Sequence, residues 1–146
     1  MMINKSAIGI ECFFKSYEDV WEVLKFNGID FEDYHFSVIF ENMVSDLPEI
    51  FPSRYFNTLI SKGEIFNLAV FHLYRRDDKN ECIDTYEDFL SGNCEMIILI
   101  ADTCYVDIYC KNIDWLETIY KNAVNIPESN IKIKTRENDT RTGMYV

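Results

Sequence analysis

The sequence predicts an α+β fold: one domain spanning residues 1–146, built on a mainly antiparallel sheet of about six strands with three or four short helices packed on it. Three observations carry this. The stretch from Cys94 to Lys111 reads as two strands joined by a short polar break, which requires an antiparallel pair. Along the chain, segments of period two and of helical period are interspersed without a repeating strand–helix–strand unit. At 146 residues with 48% hydrophobic content, the chain supplies one core, and it shows no internal repeat, low-complexity tract or linker.

The hairpin is the centre of the pattern. Met96 to Ile100 is a continuous apolar run rich in Ile, the signature of a strand buried on both faces. Ala101, Asp102 and Thr103 interrupt it. Then Cys104, Val106, Ile108 and Cys110 alternate with Tyr105, Asp107, Tyr109 and Lys111. A period of two assigns the first set to a buried face and the second to solvent.

In chain order, Ser6 to Phe14 alternates as a first strand. Ser16-Tyr17-Glu18-Asp19 resembles a capping box with Asp in the usual Glu position. The helix after it carries Val20, Trp21, Val23, Leu24 and Phe26 on one side, and Gly28 suits a left-handed cap. His35 to Glu41 is a second strand, with Phe36, Val38 and Phe40 facing one way. Two prolines between Asn42 and Pro52 argue against regular structure there. Ser53 caps a short helix over Arg54 to Ser61, and Glu64 to Tyr74 is a third, central strand.

Arg75 to Asp84 is a charged loop, expected to be the most mobile segment. Thr85 opens a second capping box and a short helix through Leu90. After the hairpin, Asp114 is positioned to cap a helix whose stripe is Trp115, Leu116, Ile119, Tyr120, Ala123 and Val124, stopped by Pro127. Ile131 and Ile133, alternating with Lys132 and Lys134, form a last strand before a polar tail over 137–146.

Net charge is −11. Binding to phosphate backbones by counterion release needs the opposite sign, so nucleic acid is not an expected partner. A basic protein is one that an acidic surface can steer and hold. No apolar run approaches the ~20 residues that span a bilayer, and no membrane role is expected. The five cysteines are odd in number, lack C-x-x-C spacing and follow no signal peptide, which implies free thiols in the cytoplasm.

No reaction is legible. The two histidines, His35 and His72, lie far apart on strands, and neither has a local nucleophile signature with Cys12, Cys94 or Cys104. Zinc-ligand spacing, calcium-loop spacing, G-x-G-x-x-G and Walker A patterns are all missing, so no metal or cofactor is expected. Two surfaces remain. One is the acidic-aromatic strip Asp30, Phe31, Glu32, Asp33 and Tyr34, with Asp77 and Asp78, as a possible partner-binding face. The other is the tail from Arg136 to Thr142, where Arg and Asp alternate; a latch folding the tail onto the sheet is its simpler explanation.

From Thr85 onward, TYEDFL, the hairpin C-E-M-I-I-L-I-x-D-x-x-Y-V-x-I-Y-C-K, the Y-K-N-A at Tyr120 to Ala123 and the E-N-D-T-R-T of the tail come in a familiar order and spacing. They resemble a family of short uncharacterised proteins from Bacillus and related Gram-positive bacteria, catalogued as a domain of unknown function. The N-terminal half matches that family in outline only. The resemblance implies a small bacterial cytosolic protein and brings no catalytic residues with it. The leading expectation is therefore a non-enzymatic protein-interaction module, such as an acidic inhibitor or immunity-type protein. The alternatives are a small-molecule site or enzyme assembled from distant residues, with His72, Cys104 or Arg141 as candidates, and a homodimer paired through a sheet edge.

Overall fold

A computed structural model describes residues 6–41, 50–52, 58, 67–141 and 143–145. Seven strands among them form one sheet: β1 (Ala7–Phe13), β2 (Tyr34–Glu41), β3 (Ile50–Pro52), β4 (Leu68–Arg75), β5 (Met96–Ala101), β6 (Tyr105–Cys110) and β7 (Asn130–Thr135). Their order across the sheet is β3-β2-β4-β5-β6-β1-β7, and every pairing is antiparallel. The described helices are α1 (Tyr17–Leu24), α2 (Tyr86–Ser91) and α3 (Ile113–Val124). This is the expected α+β class, with a mainly antiparallel sheet.

The expected strands are present with shifted ends, and β3 is an addition. Prolines argued against structure near it, but Pro52 closes a three-residue strand at the sheet margin, opposite His35, and an edge strand is where a sheet tolerates proline. Apart from Thr58, which is helical, the helix expected over Arg54 to Ser61 lies outside the described residues. So do residues 42–49 and the start of the third expected strand, 64–66.

Local signals fix the helix starts. The Ser16 hydroxyl accepts the Asp19 N–H at 3.4 Å. At α2, Thr85 and Asp88 close a reciprocal box, Asp88 N–H to Thr85 Oγ1 at 3.2 Å and Thr85 N–H to Asp88 Oδ2 at 3.1 Å. The cap of α3 is Asn112 rather than Asp114. Its side chain accepts the N–H groups of both Asp114 and Trp115, so Asp114 already stands in the first turn. Helix α1 ends at Leu24, earlier than Gly28 implied; Phe26 and Gly28 both adopt left-handed backbone beyond it.

Both sheet faces are covered. On the first, Ile10, Cys12, Phe14, Phe36, Phe71, Leu73, Met96, Ile98, Ile100, Val106 and Ile108 pack under α1 and α3. On the second, Val70, Tyr74, Ile97, Leu99 and Tyr109 pack with Ile83, Phe89 of α2, Cys94 and Met144 of the tail. Two covered faces are why β5 is apolar at every position from Met96 to Ile100.

This second layer corrects one expectation. Tyr109 and Asp107 were assigned to solvent by alternation, yet Tyr109 is fully buried and Asp107 is 8% exposed. Residues 75–84 form the expected loop, and two of its residues reach neighbouring elements. Asn80 pairs with Ser37, the Glu81 N–H donates to the Tyr74 hydroxyl at 3.0 Å, and the Glu81 carboxylate accepts the Asn93 and Cys94 N–H groups.

Candidate binding groove

Glu11 and Asp107 stand directly opposite each other on β1 and β6, both on the second face. Like charges so placed repel, and the fold supplies a cation from the next strand. Lys134 of β7, Gly9 of β1 and Tyr109 of β6 share one cross-strand row. Gly9 leaves that row without a side chain in its middle, so the lysine stem crosses β1 to the far side. A Cβ at Gly9 would also collide with the Ile108 carbonyl oxygen, because β1 and β6 approach closely there.

The Lys134 ammonium donates to the Tyr109 hydroxyl at 2.9 Å and to Asp139 Oδ1 at 3.1 Å. It lies 3.5 Å from Asp107 and 3.9 Å from Glu11. The Tyr109 hydroxyl in turn donates to Asp139 Oδ2 at 2.9 Å, closing a ring of three groups. Burial opposes charge on Lys134, but the Tyr109 hydrogen bond and the Asp107 and Asp139 carboxylates outweigh it and raise its pKa. Burial also pushes Asp139 upward, and the Arg141 N–H, the Tyr109 hydroxyl and Lys134 together hold it below the ordinary carboxylate value. The Tyr109 phenol is pushed up to about 12 by burial.

Arg141 arrives from the tail. Its Nη2 donates to Asp107 Oδ2 and its Nη1 to the Tyr145 carbonyl at 2.9 Å, while Nε is buried without a hydrogen-bond partner. The tail is also pinned by an Arg136–Glu87 ion pair and by the Met144 N–H on the Asp84 carbonyl at 3.0 Å. The expected latch is thus built, with Asp139 and Arg141 as its inward residues.

Between tail and hairpin the second face stays open. A hollow of about 360 Å³ is lined by Glu11, Asp107, Lys134, Thr140, Arg141, Gly143 and Tyr145. A second, of about 290 Å³, shares Glu11, Asp107 and Arg141 and continues along Leu99, Ala101, Asp102 and Tyr105. Together they make one groove. At its hairpin end Phe13 and Tyr105 form an exposed aromatic pair with centroids 4.7 Å apart. Glu11 lines both hollows with its side chain 51% exposed and the Lys134 ammonium 3.9 Å away.

The strip named from sequence lies elsewhere. Tyr34 pairs with Arg75 at the opposite end of the strands from Ala101 and Tyr105, so the groove and the strip do not share a surface. The strip does meet the Asp77 and Asp78 loop: the Arg76 N–H donates to the Asp33 carbonyl at 2.8 Å, and its guanidinium to the Glu32 carbonyl at 2.9 Å. Asp30, Glu32, Asp33 and Asp77 are exposed, and Asp78 is half-buried. Phe31 is not surface: it is 8% exposed, packed edge-on against Phe36 and Trp115, and Tyr34 leans on the same Trp115.

The candidates His72 and Cys104 do not converge. His72 pairs in register with Ile97, four residues along β5 from the turn that holds Cys104, a separation of ~13 Å at the rise of a strand. Burial lowers the His72 pKa to about 4 and pushes Cys94 and Cys110 up to about 12, leaving neutral, unreactive groups. No cluster of three or more His, Cys, Asp or Glu suited to a metal occurs among the described residues. Sequence reasoning named Arg141 but missed Glu11, Asp107 and Lys134. Their signal was present: charges inside alternating strands, with a glycine aligned between them.

Among curated proteins the chain is similar to Uncharacterized protein YncE of Bacillus subtilis (strain 168), 45% identical over 64 residues that cover 44% of this chain and 42% of that protein. The matched stretch is thus less than half the relative's length. No solved structure matches. The family described as Protein of unknown function (DUF2691) matches residues 20–145, a span that takes in six of the seven described strands, most of α1, all of α2 and α3, and the latch. With most of the fold and the latch inside that span, and the resemblance seen from Thr85 onward borne out, the chain belongs to the family of unknown function DUF2691.

Proposed function

We propose that the protein is a non-enzymatic interaction module of the cytoplasm that receives a cationic group of a basic partner in the groove between hairpin and tail. The observation that carries this is the half-satisfied carboxylate pair, Glu11 opposite Asp107, beside the exposed Phe13–Tyr105 rings. Net charge supports it: a chain at −11 steers cations toward its surface. Five free cysteines are in keeping with a reducing compartment. An inhibitor or immunity-type role, masking a basic site on another protein, is the biological form this contact takes in the proposal.

The acidic rim of Asp30, Glu32, Asp33, Asp77 and Asp78 is a second reading of where the partner sits. It is favoured by the proximity of the two loops and weakened by Arg76, which already lies 3.8 Å from Asp33. An edge-paired homodimer has less support. The margin strand β7 carries exposed Lys132 and inward-pointing Lys134, devices that discourage edge-to-edge pairing.

The test is retention of proteins from a Bacillus lysate on the tagged chain at low and moderate salt, comparing wild type, Glu11→Gln and the triple change Asp30→Asn, Glu32→Gln, Asp33→Asn. A basic protein held at low salt, shed at moderate salt and lost on Glu11→Gln is the expected result. Loss only with the triple variant moves the contact to the rim. Retention indifferent to salt and to both variants overturns the proposal.

A further inference from the structure

Resting on that reading of the groove, we propose that the cationic group it receives is the guanidinium of an arginine side chain, and that the incoming arginine takes the place of Arg141 on Asp107.

The groove already holds a guanidinium, and holds it incompletely. Arg141 engages Asp107 through one nitrogen, spends another on the Tyr145 carbonyl and leaves Nε without a partner. A planar guanidinium can give a carboxylate two parallel hydrogen bonds, so the resident contact is short of what the chemistry offers. An arginine entering from outside is free of the tail that constrains Arg141.

The two cations of the cluster differ in how fixed they are. The Lys134 side chain is 6% exposed and bound to Tyr109 and Asp139. The Arg141 side chain is 24% exposed and stands on a segment without helix or strand, where its neighbours Asp139 and Met144 anchor the tail without it. Its departure therefore leaves the latch in place, with Lys134 still 3.5 Å from Asp107.

The remaining walls distinguish arginine from lysine. Glu11 faces Asp107 across one strand pair, a spacing of ~5 Å between Cβ atoms that a fork of several N–H donors can bridge. Tyr105 and Phe13 offer ring faces at the groove end, and guanidinium stacks on such faces better than the strongly hydrated ammonium. Charge allows it: Glu11, Asp102, Asp107 and Asp139 face Lys134, Arg141 and Lys132, the exposed register partner of Glu11. Exchanging one guanidinium for another leaves that balance unchanged.

Amide NMR titration of the full chain with Nα-acetyl-arginine methylamide and its lysine counterpart decides the matter. The arginine probe should shift the amides of Asp102, Tyr105, Arg141 and Tyr145, move the Arg141 guanidinium resonance and bind about tenfold tighter than the lysine probe. Glu11→Gln should weaken it by about tenfold, the worth of a charged hydrogen bond, and Arg141→Gln should strengthen it. Equal binding of the two probes, or binding that leaves the wild-type Arg141 resonance unmoved, overturns the proposal. So does a well-dispersed Arg141→Gln spectrum with weakened or unchanged affinity. If Glu11→Gln abolishes partner retention while the probes bind equally, the groove reading stands and this one falls. If neither probe shifts the groove amides and Glu11→Gln leaves retention unchanged, both fall.

Discussion

His72 shows what burial does to one side chain. It is 1% exposed on β4, its Nδ1 lies 3.2 Å from the Tyr74 hydroxyl, and its Nε2 has no hydrogen-bond partner. Burial alone lowers its pKa to about 4. Unfolded, the same imidazole titrates near ~6.5. Between those values the unfolded chain binds the proton and the folded chain does not, so stability falls as pH drops. The contribution is complete above ~6.5, declines through the window and levels off below about 4, a loss of about 3 kcal/mol from this residue. Urea unfolding from pH 7 to pH 4 should show it, and His72→Phe should flatten the slope across the window. An unchanged slope in the variant would mean that other groups carry the acid sensitivity.

At the scale of elements, caps and turns carry information that hydrophobic period does not. The reciprocal Thr85–Asp88 box starts a helix only six residues long, too short to persist without tertiary packing of Phe89. Thr85→Ala should cost about 1 kcal/mol, the worth of an N-cap, read as a lowered urea midpoint with unchanged slope. The hairpin turn places Asp102 and Thr103 successively in left-handed backbone, uncommon for a β-branched Thr. Sequence marked the break between the strands correctly; the turn chemistry carried no glycine to announce its shape. The missed cap of α3 is of the same kind. Asn112 and Asp114 are both good caps, and the chain leaving β6 selects the earlier one.

For the whole molecule, the tail decides what the second face becomes. Lys134 is the post on which the latch closes, joining β7, the Tyr109 hydroxyl, Asp107 and Asp139. Lys134→Met keeps the stem and removes the charge, leaving Asp107 and Asp139 buried beside one remaining cation. Breaking a buried pair from one side costs about 3–5 kcal/mol, so thermal and urea unfolding should both move downward by that amount. Asp139→Asn in the same background should recover part of the loss, because it removes one stranded carboxylate. No recovery would place the cost in packing rather than charge.

The sequence by itself determined six of the seven described strands, the antiparallel hairpin and the buried first face, because strand and helix periods are local signals. It also determined that β5 is covered twice, since only a strand with two dry faces is apolar throughout. The groove was decided by tertiary structure. Alternation on β6 reads Asp107 and Tyr109 as solvent-facing, and only the packing of α2 together with the return of the tail, both distant in sequence, turns that face into a half-closed ionic site. The same holds for Phe31, read as a surface aromatic beside acidic neighbours and drawn into the core by Phe36 and Trp115. Period two assigns residues to a face; whether that face is wet depends on what the rest of the chain lays over it.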